Sequence, residues 1–460
     1  MNLINNALSG ALAAQAALNA TSQNIANVAT AGYTRQGALL VTANATQSGT
    51  VSAGNGVTVS QLLRFSDSYT SQQMWSSNST LGQYTVSQPY LTQMEQVMGD
   101  DTSNIGSGLD DFFSALNAVS VDPTSSPLRQ QVLTSAQSFA QRLDSLNGVL
   151  STQVTSIHQQ RSDTVNQINE TANDIDTLNQ QISQAQATNV NASGLMDARD
   201  QKIDALAGLV GIQVVDQPNG SRDVSLTGGQ PLVVGSVASK MSAQGNADGS
   251  QTLKVAFVNQ TFTLSDGSLG GQLGGLGDYE QNVLQPLQAS VSDMASQISG
   301  AVNTQLGAGF GVDGTAGGPL FDFDPTGASG MLTLDPSATA ANLGFSGDPT
   351  LPGNSDNLLA LIDLKNQPIT VGSLGSVLMS DANSQLVGQL GTNSQQNQAS
   401  MATAQTVRDQ STENWKSVSG VNSDEEAVNL VQYQQMYQAN MKVMTVADTL
   451  FDATLAMMGP

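Results

Sequence analysis

A seam of mostly apolar positions opens the chain: Ile4, Ala7, Ala11, Ala14, Leu18, Thr21, Ile25 and Val28 alternate spacings of three and four. That is an a/d heptad held over four repeats, the period of a coiled-coil seam. Gly32 then stands where a helix C′ glycine belongs. The far end repeats the pattern. Leu430, Tyr437, Met444, Phe451 and Met458 recur every seven residues, and Ala427, Met441 and Leu455 fill most of the other seam position. Ser423 followed by Glu426 predicts a capping box at the start of that helix. Either helix alone fits a local core; two matched seams at opposite ends predict that they pair.

A second helical layer lies between them. Ala136, Phe139, Leu143, Leu146, Leu150 and Ile157 form one seam, which Ile168, Ala172, Ile175 and Ile182 resume after an eleven-residue step, a four-residue stutter. Leu284, Leu287, Val291, Met294, Ile298 and Ala301 mark another long helix, and a Gln-rich stretch ending near Trp415 a third. Residues 212–268 change character, with short β-type runs broken by Asn-Gly and Asp-Gly turns. Gly-rich runs at 267–277 and 307–319 read as linkers. The predicted fold is mainly α: paired terminal heptad helices, a long-helix bundle layer and a small inserted β domain. Residues 1–60 with 417–460 form the terminal unit, 61–211 with 269–416 the helical rod, and 212–268 the insertion. The flanking heptads do not call on the insertion, which predicts that the helices stand without it.

Composition narrows the function. The 37 acidic and 14 basic residues leave a net charge of −23, which argues against nucleic acid, whose phosphates need clustered Lys and Arg. No apolar run approaches ~18 residues, so no membrane span is expected. The apolar start carries no basic residue before Arg35, unlike an ordinary signal peptide. The chain has no cysteine, which removes disulfides, thiolate metal sites and thiol nucleophiles together. The only histidine, His158, cannot supply a His-Glu-x-x-His zinc site and has no Gly-x-Ser-x-Gly elbow to serve; it reads as a surface residue of the long helix. Gly309–Gly314 matches Gly-x-Gly-x-x-Gly but follows a helix instead of a strand. The calcium-loop-like Asp322–Gly327 stretch has Thr333 where the bidentate glutamate belongs. No catalytic, metal or cofactor residue is assigned, and the chain reads as a non-enzyme.

The residues 6–36, with Asn24, Ile25, Ala26, Asn27, Thr30, Gly32 and Tyr33, resemble the N-terminal signature of the bacterial flagellar rod, hook and hook-associated protein family. The Gly-Tyr-Thr-Arg-Gln ending and residues 420–452 are most similar to the branch at the hook–filament junction, as are the interior phrases "GGQLGGLGDY", "GGPLFDF" and "NSDNLLAL". Thr34 departs from the family's usual serine, and only one modest β insertion is present. The resemblance implies a secreted structural subunit located at the hook–filament junction of the flagellum. Its implied partners are copies of itself in a ring, the hook protein, a second junction protein with the filament, the flagellar type III export apparatus, and a cytoplasmic chaperone on the C-terminal helix. It implies no cofactor. Assembly contacts fall on Ile4, Ala11, Leu18, Asn24, Ile25, Asn27, Gly32, Tyr33 and Arg35 at one end. At the other, Leu430, Tyr437, Met441, Met444, Phe451 and Leu455 serve assembly or the chaperone. A hook, rod or flagellin-like axial subunit is the neighbouring reading, and an adhesin carried on the flagellum the reading from another class. An alanine seam buries too little to order an isolated helix, so the termini are expected to fold on assembly.

Overall fold

The computed structural model describes residues 2–43, 54–101, 103–247, 249–327, 330–457 and 459; Met458 of the C-terminal seam lies outside them. In chain order come α1 (Asn2–Ala26), a hairpin of β1 (Gln36–Thr42) and β2 (Val57–Arg64), α2 (Ser68–Gly99), α3 (Ile105–Val119) and α4 (Ser126–Ala187). α5 (Ser193–Leu209) leads into the insertion, β3 (Ile212–Asp216), β4 (Arg222–Leu226), β5 (Pro231–Val234), β6 (Val237–Ala238), β7 (Lys240–Gly245), β8 (Gln251–Phe257) and β9 (Gln260–Thr263). The chain returns through α6 (Gly271–Tyr279), a π turn (Glu280–Leu284) and α7 (Gln285–Gly307). A hairpin of β10 (Phe321–Phe323) and β11 (Leu332–Leu334), α8 (Asp356–Asp363) and a hairpin of β12 (Pro368–Val371) and β13 (Gly375–Leu378) precede the last two helices. These are α9 (Ala382–Ser419) and α10 (Ser423–Met457).

The body hangs on α4, whose 62 residues never break their rhythm of buried positions. Leu150, Gln153, Ile157, Arg161, Thr164, Ile168, Ala172 and Ile175 are all buried, so the stutter is a local eleven-residue repeat filled by Arg161 and Thr164. The N-terminal half packs in a core with α3, α7 and α8, centred on edge-to-face pairs of Phe112, Phe139 and Phe321. The C-terminal half belongs to a second core, where Val165, Ile168, Ala172 and Ile175 meet Ile203 and Leu206 of α5 and Val224, Leu232, Met241 and Val255 of the strands. Between the cores the buried Arg161 donates to Glu280 (Nη1–Oε2, 2.7 Å) and Asp266 (Nη2–Oδ1, 2.6 Å). His158 lies 2.7 Å from the other oxygen of Glu280. It is a partner in this polar joint, which corrects its reading as a surface residue.

The insertion forms two antiparallel sheets, β3-β4-β5-β6 and β7-β8-β9. α4 holds each through an asparagine that mimics a strand edge. Asn169 Nδ2 donates to Met241 O and Oδ1 accepts from Met241 N, at 2.8 and 2.7 Å. Asn179 does the same for Arg222 at 2.8 and 3.0 Å. The C-terminal half of α4 and α5 therefore share one core with the insertion, contrary to the expectation that the heptads stand without it.

Two further expectations change. The Gly-rich run at 267–277 is no linker: most of it is α6, packed against α2, where a Cβ on Gly275 would overlap the Gln83 carbonyl. Glycine here supplies close approach, not flexibility. The β structure is also wider than residues 212–268, because three separate hairpins lie outside them. Strands of three to eight residues carry too short an alternation to stand out from loop sequence. β2 runs through residue 60 and α9 through residue 417, so both inner borders of the terminal unit fall inside elements.

Candidate assembly interface

α1 and α10 pair along their length, and small residues set the geometry. α1 buries Ala7, Gly10, Ala11, Ala14, Ala17, Thr21 and Asn24, so the two backbones come close; a Cβ on Gly10 would overlap the Asn440 amide. The best-covered positions of α10 are Glu426, Asn429, Tyr433, Met436, Asn440 and Ala447, again at spacings of three and four. This seam is rotated by one residue, about 100°, from the one drawn through the large apolar side chains. Ala11 lies in the pair and Ile4 and Leu18 are half-buried, but Ile25 is 39% exposed. Leu430 and Met444 are half-buried, while Tyr437 and Met441 are exposed and Phe451 and Leu455 are 60% and 54% exposed. With Leu3, Leu8 and Leu12 of α1 and Val428, Val431 and Val446 of α10, they leave both terminal helices with exposed apolar surface that no other described element covers. Contiguous apolar surface of that kind marks an interaction site.

The helix start differs too. Asn422 caps α10, accepting from Asp424 N at 3.0 Å and Glu425 N at 3.4 Å, so Ser423 and Glu426 form no capping box.

The stretch from Asn24 to Arg35 binds the terminal pair to the body. α1 ends at Ala26, and turns follow through Gly32, whose φ of 74° suits glycine inside the loop, not at a helix C′ position. Asn24, buried, donates to Gln36 O (2.8 Å) and accepts from Gln36 N (2.9 Å) and the Tyr33 hydroxyl (3.0 Å). Asn27 accepts from Thr30 Oγ1 at 3.2 Å. Arg35 donates its backbone N–H to Ser419 O (2.8 Å), pairs with Glu425 at 2.7 Å and lies 4.5 Å above the Phe65 ring. Asn24, Tyr33 and Arg35 are expected at the assembly interface; within the chain the Asn24 amide and the Tyr33 hydroxyl are engaged and Arg35 pairs through Nη1, while its buried Nε has no partner among the described residues. Replacing Asn24 with Ala leaves the Gln36 peptide and the Tyr33 hydroxyl unpaired. We expect a loss of about 2–4 kcal/mol, from roughly 1–3 kcal/mol per orphaned buried group, read as a shift of the urea midpoint. An unchanged midpoint would show that solvent replaces the amide.

Beneath this loop sits a charged layer that sequence reading missed. Arg64 reaches Asp197 and Asp200, both at 2.8 Å, and donates to Thr34 Oγ1 at 2.9 Å. Arg222 of the insertion pairs with Asp200 and, at 2.5 Å, with Asp216. Burial pushes the Asp197 carboxyl above its ordinary value against the pull of Arg64 and Thr34. Burial lowers Arg199 to about 10. For Arg222, burial alone would act in the same direction, but Asp200 and Asp216 outweigh it and the net shift is upward. Burial, then Asp197 and Glu426, raise the Tyr33 phenol. One sequence signal did point at the interface: Gly10 inside a helical pattern costs about 1 kcal/mol against Ala, and close packing on α10 is its reason.

The comparisons agree with this layout. Residues 91–321, half of the chain, match the family model described as "Flagellar hook-associated protein FlgK helical domain". Residues 417–457 match "Flagellar basal body rod FlgEFG protein C-terminal". The flagellar hook-associated protein 1 of Escherichia coli K12 is 29% identical over 99% of both chains. That of Bacillus subtilis 168 is 27% identical over 97% of this chain and 96% of its own. The Escherichia coli alignment spans 549 positions against the 460 residues here, so that relative carries segments this chain lacks. The solved structure of the flagellar hook junction protein FlgK from Burkholderia pseudomallei superposes with a TM-score of 0.66 at 20% identity, over 75% of this chain and all of that one.

Proposed function

This chain belongs to the FlgK family of flagellar hook-associated proteins, and from that premise we propose that it is a structural subunit of the flagellum that builds the junction between hook and filament. The observation that carries the reading is the run of exposed large apolar side chains along the α1–α10 pair, Leu3, Leu8, Leu12, Val428, Val431, Val446, Phe451 and Leu455 among them. Copies pack through it into a ring, with hook protein on one side and a second junction protein and filament on the other. α10, from Leu430 to Leu455, offers a helix-in-groove face to a cytoplasmic chaperone before export through the flagellar type III pathway. The described residues include no helix long and apolar enough to cross a membrane, and the relatives are named flagellar hook-associated protein 1. The chain acts by assembly, not catalysis. Immunogold labelling of isolated flagella tests the placement. Gold confined to the hook–filament boundary is expected; gold along the filament or the hook would assign the chain to another axial layer.

A further inference from the structure

The sheet β7-β8-β9 ends in an open edge. Among the described residues β9 pairs only with β8, and all of Gln260–Thr263 is exposed. The register sets Phe262 opposite Val255 and Thr261 opposite Ala256, and Leu264 donates its N–H to Leu253 O at 2.9 Å. Hydrogen bonding alternates along an antiparallel pair, so Gln260, Phe262 and Leu264 face β8 with their main-chain groups. Those of Thr261 and Thr263 point away from it. Proteins blunt such an edge with charge, proline or a bulge; β9 has none of the three.

The two faces of the sheet set the chemistry of a strand that could join it. On the inner face Met241, Val255 and Phe262 form one row across the three strands. The first two are 1% and 0% exposed but Phe262 is 37% exposed, so the apolar row runs out of cover at the edge. The outer face carries Lys240 and Lys254 among serine, threonine, glutamine and alanine, with no acidic side chain on the strands. Neither lysine makes an ion pair among the described residues, whereas Lys202, Lys365 and Lys416 each do; Lys254 only donates to the Gln244 amide oxygen at 3.0 Å. At the tip of the β8–β9 hairpin Val258 has a φ of 53°, a region unfavourable for a β-branched residue, and its exposed side chain gains little packing in return. Strain of that kind gathers where a partner binds.

We propose that β9 accepts an extended segment of a partner protein as a further strand, and that this segment alternates acidic and apolar residues. Main-chain bonds to Thr261 and Thr263 hold it, while alternate side chains give the selectivity. An apolar residue opposite Phe262 extends the inner row, and the acidic residues on either side of it lie on the lysine face. Strands lie about 4.8 Å apart, which puts the new backbone about 10 Å from that of Lys254, within the joint reach of a lysine and a glutamate. Lys240 stands one strand further, at about 14 Å, and contributes only its field. The site belongs to the insertion and is independent of the α1–α10 interface.

The probe is a short fluorescein-labelled peptide of alternating glutamate and valine, added to the purified full-length chain and followed by fluorescence anisotropy. Saturable binding that weakens as salt rises is expected, with little binding of the lysine–valine counterpart. Lys254→Glu should weaken it about fivefold or more and Lys240→Glu less than about twofold, the span of exposed ion pairs. In the proposed register the glutamate amides face β9 and the valine amides face away. N-methylation of the glutamate amides should therefore abolish binding and N-methylation of the valine amides should spare it, with the protein itself unaltered. Thr261→Pro, which removes an edge N–H, should abolish binding in protein whose thermal melt matches the wild type. No binding to the wild type, or equal loss from either N-methylated peptide, would overturn the added strand. Equal binding to Lys254→Glu would overturn the acidic partner. Dimers of the purified chain that Thr261→Pro dissolves would give the edge to a second copy and overturn the proposal as well.

Discussion

Removing residues 212–268 unfolds the distal part of α4 together with α5. The cut itself is benign, since Gly211 N donates to Leu269 O at 2.6 Å and a short join adds little loop entropy. The damage comes from packing. Val224, Leu226, Leu232, Val233, Met241, Leu253 and Val255 leave the second core, and Ile168, Ile175, Ile203 and Leu206 lose their cover. At about 1.5–3 kcal/mol per aliphatic side chain, that exceeds the roughly 5–15 kcal/mol that holds an ordinary domain. The loss of Arg222 also strips one cation from the layer around Asp200, where breaking a buried pair costs about 3–5 kcal/mol. Because the insertion is strand, its deletion alone should leave the helical circular dichroism per molecule unchanged. We expect that signal to fall by an amount matching the distal part of α4 and α5, with these segments open to protease. An unchanged helical signal with a single cooperative melt would mean that the helices close on themselves.

The same residues explain what the sequence could and could not reveal. α4 was legible because its seam is filled by large side chains over a long run, and even the stutter could be read between Ile157 and Ile168. The side chains that occupy the stutter could not: Arg161 is buried only because Glu280 and Asp266 arrive from more than a hundred positions away. At the termini, periodicity placed Ala7, Ala11, Ala14 and Thr21 of α1 in the pair but chose a face of α10 one residue away from the one that meets it. Hydrophobic patterning weights Ile25, Tyr437, Phe451 and Leu455, whereas the helices meet through alanine, Gly10, Asn440 and Glu426. Small and polar residues give a weak moment yet allow the closest approach. The signature around Asn24 and Tyr33 was readable as a motif, but its role as an internal clamp depends on Arg64, Asp197 and Glu425, which no local spacing connects to it. The glycines near 275 misled for a related reason: propensity says break, while the partner helix demands the absence of a Cβ.

In the isolated chain, protease trims α1 and α10 back to the clamp around Asn24 and Glu425 and then stops. Ordering a residue costs about 1–2 kcal/mol of backbone entropy, and isolated helices of this kind are marginal in water. The α1–α10 contact returns little, because alanine, glycine and asparagine make most of it while the larger apolar side chains of both helices remain exposed. Partner surface in the assembled flagellum would cover those side chains and couple the order of both helices to assembly. The sequence alone put the limit of this region near residues 60 and 420. The structure moves the N-terminal limit inward, since the β1–β2 hairpin is tied down at Arg64 by Asp197 and Asp200 and the turn before it by Asn24 and Arg35. Limited trypsin is a poor probe here, because α1 has no basic residue and α10 only Lys442; chymotrypsin, which cleaves after Leu, Tyr, Phe and Met, finds sites throughout both helices. Mass spectrometry should show a stable fragment that begins just after Leu18 and ends near Leu430. A fragment starting beyond Arg64 would show that the charged clamp fails in the monomer. Intact termini under conditions that digest an unfolded control would show that the small-residue pair is enough by itself.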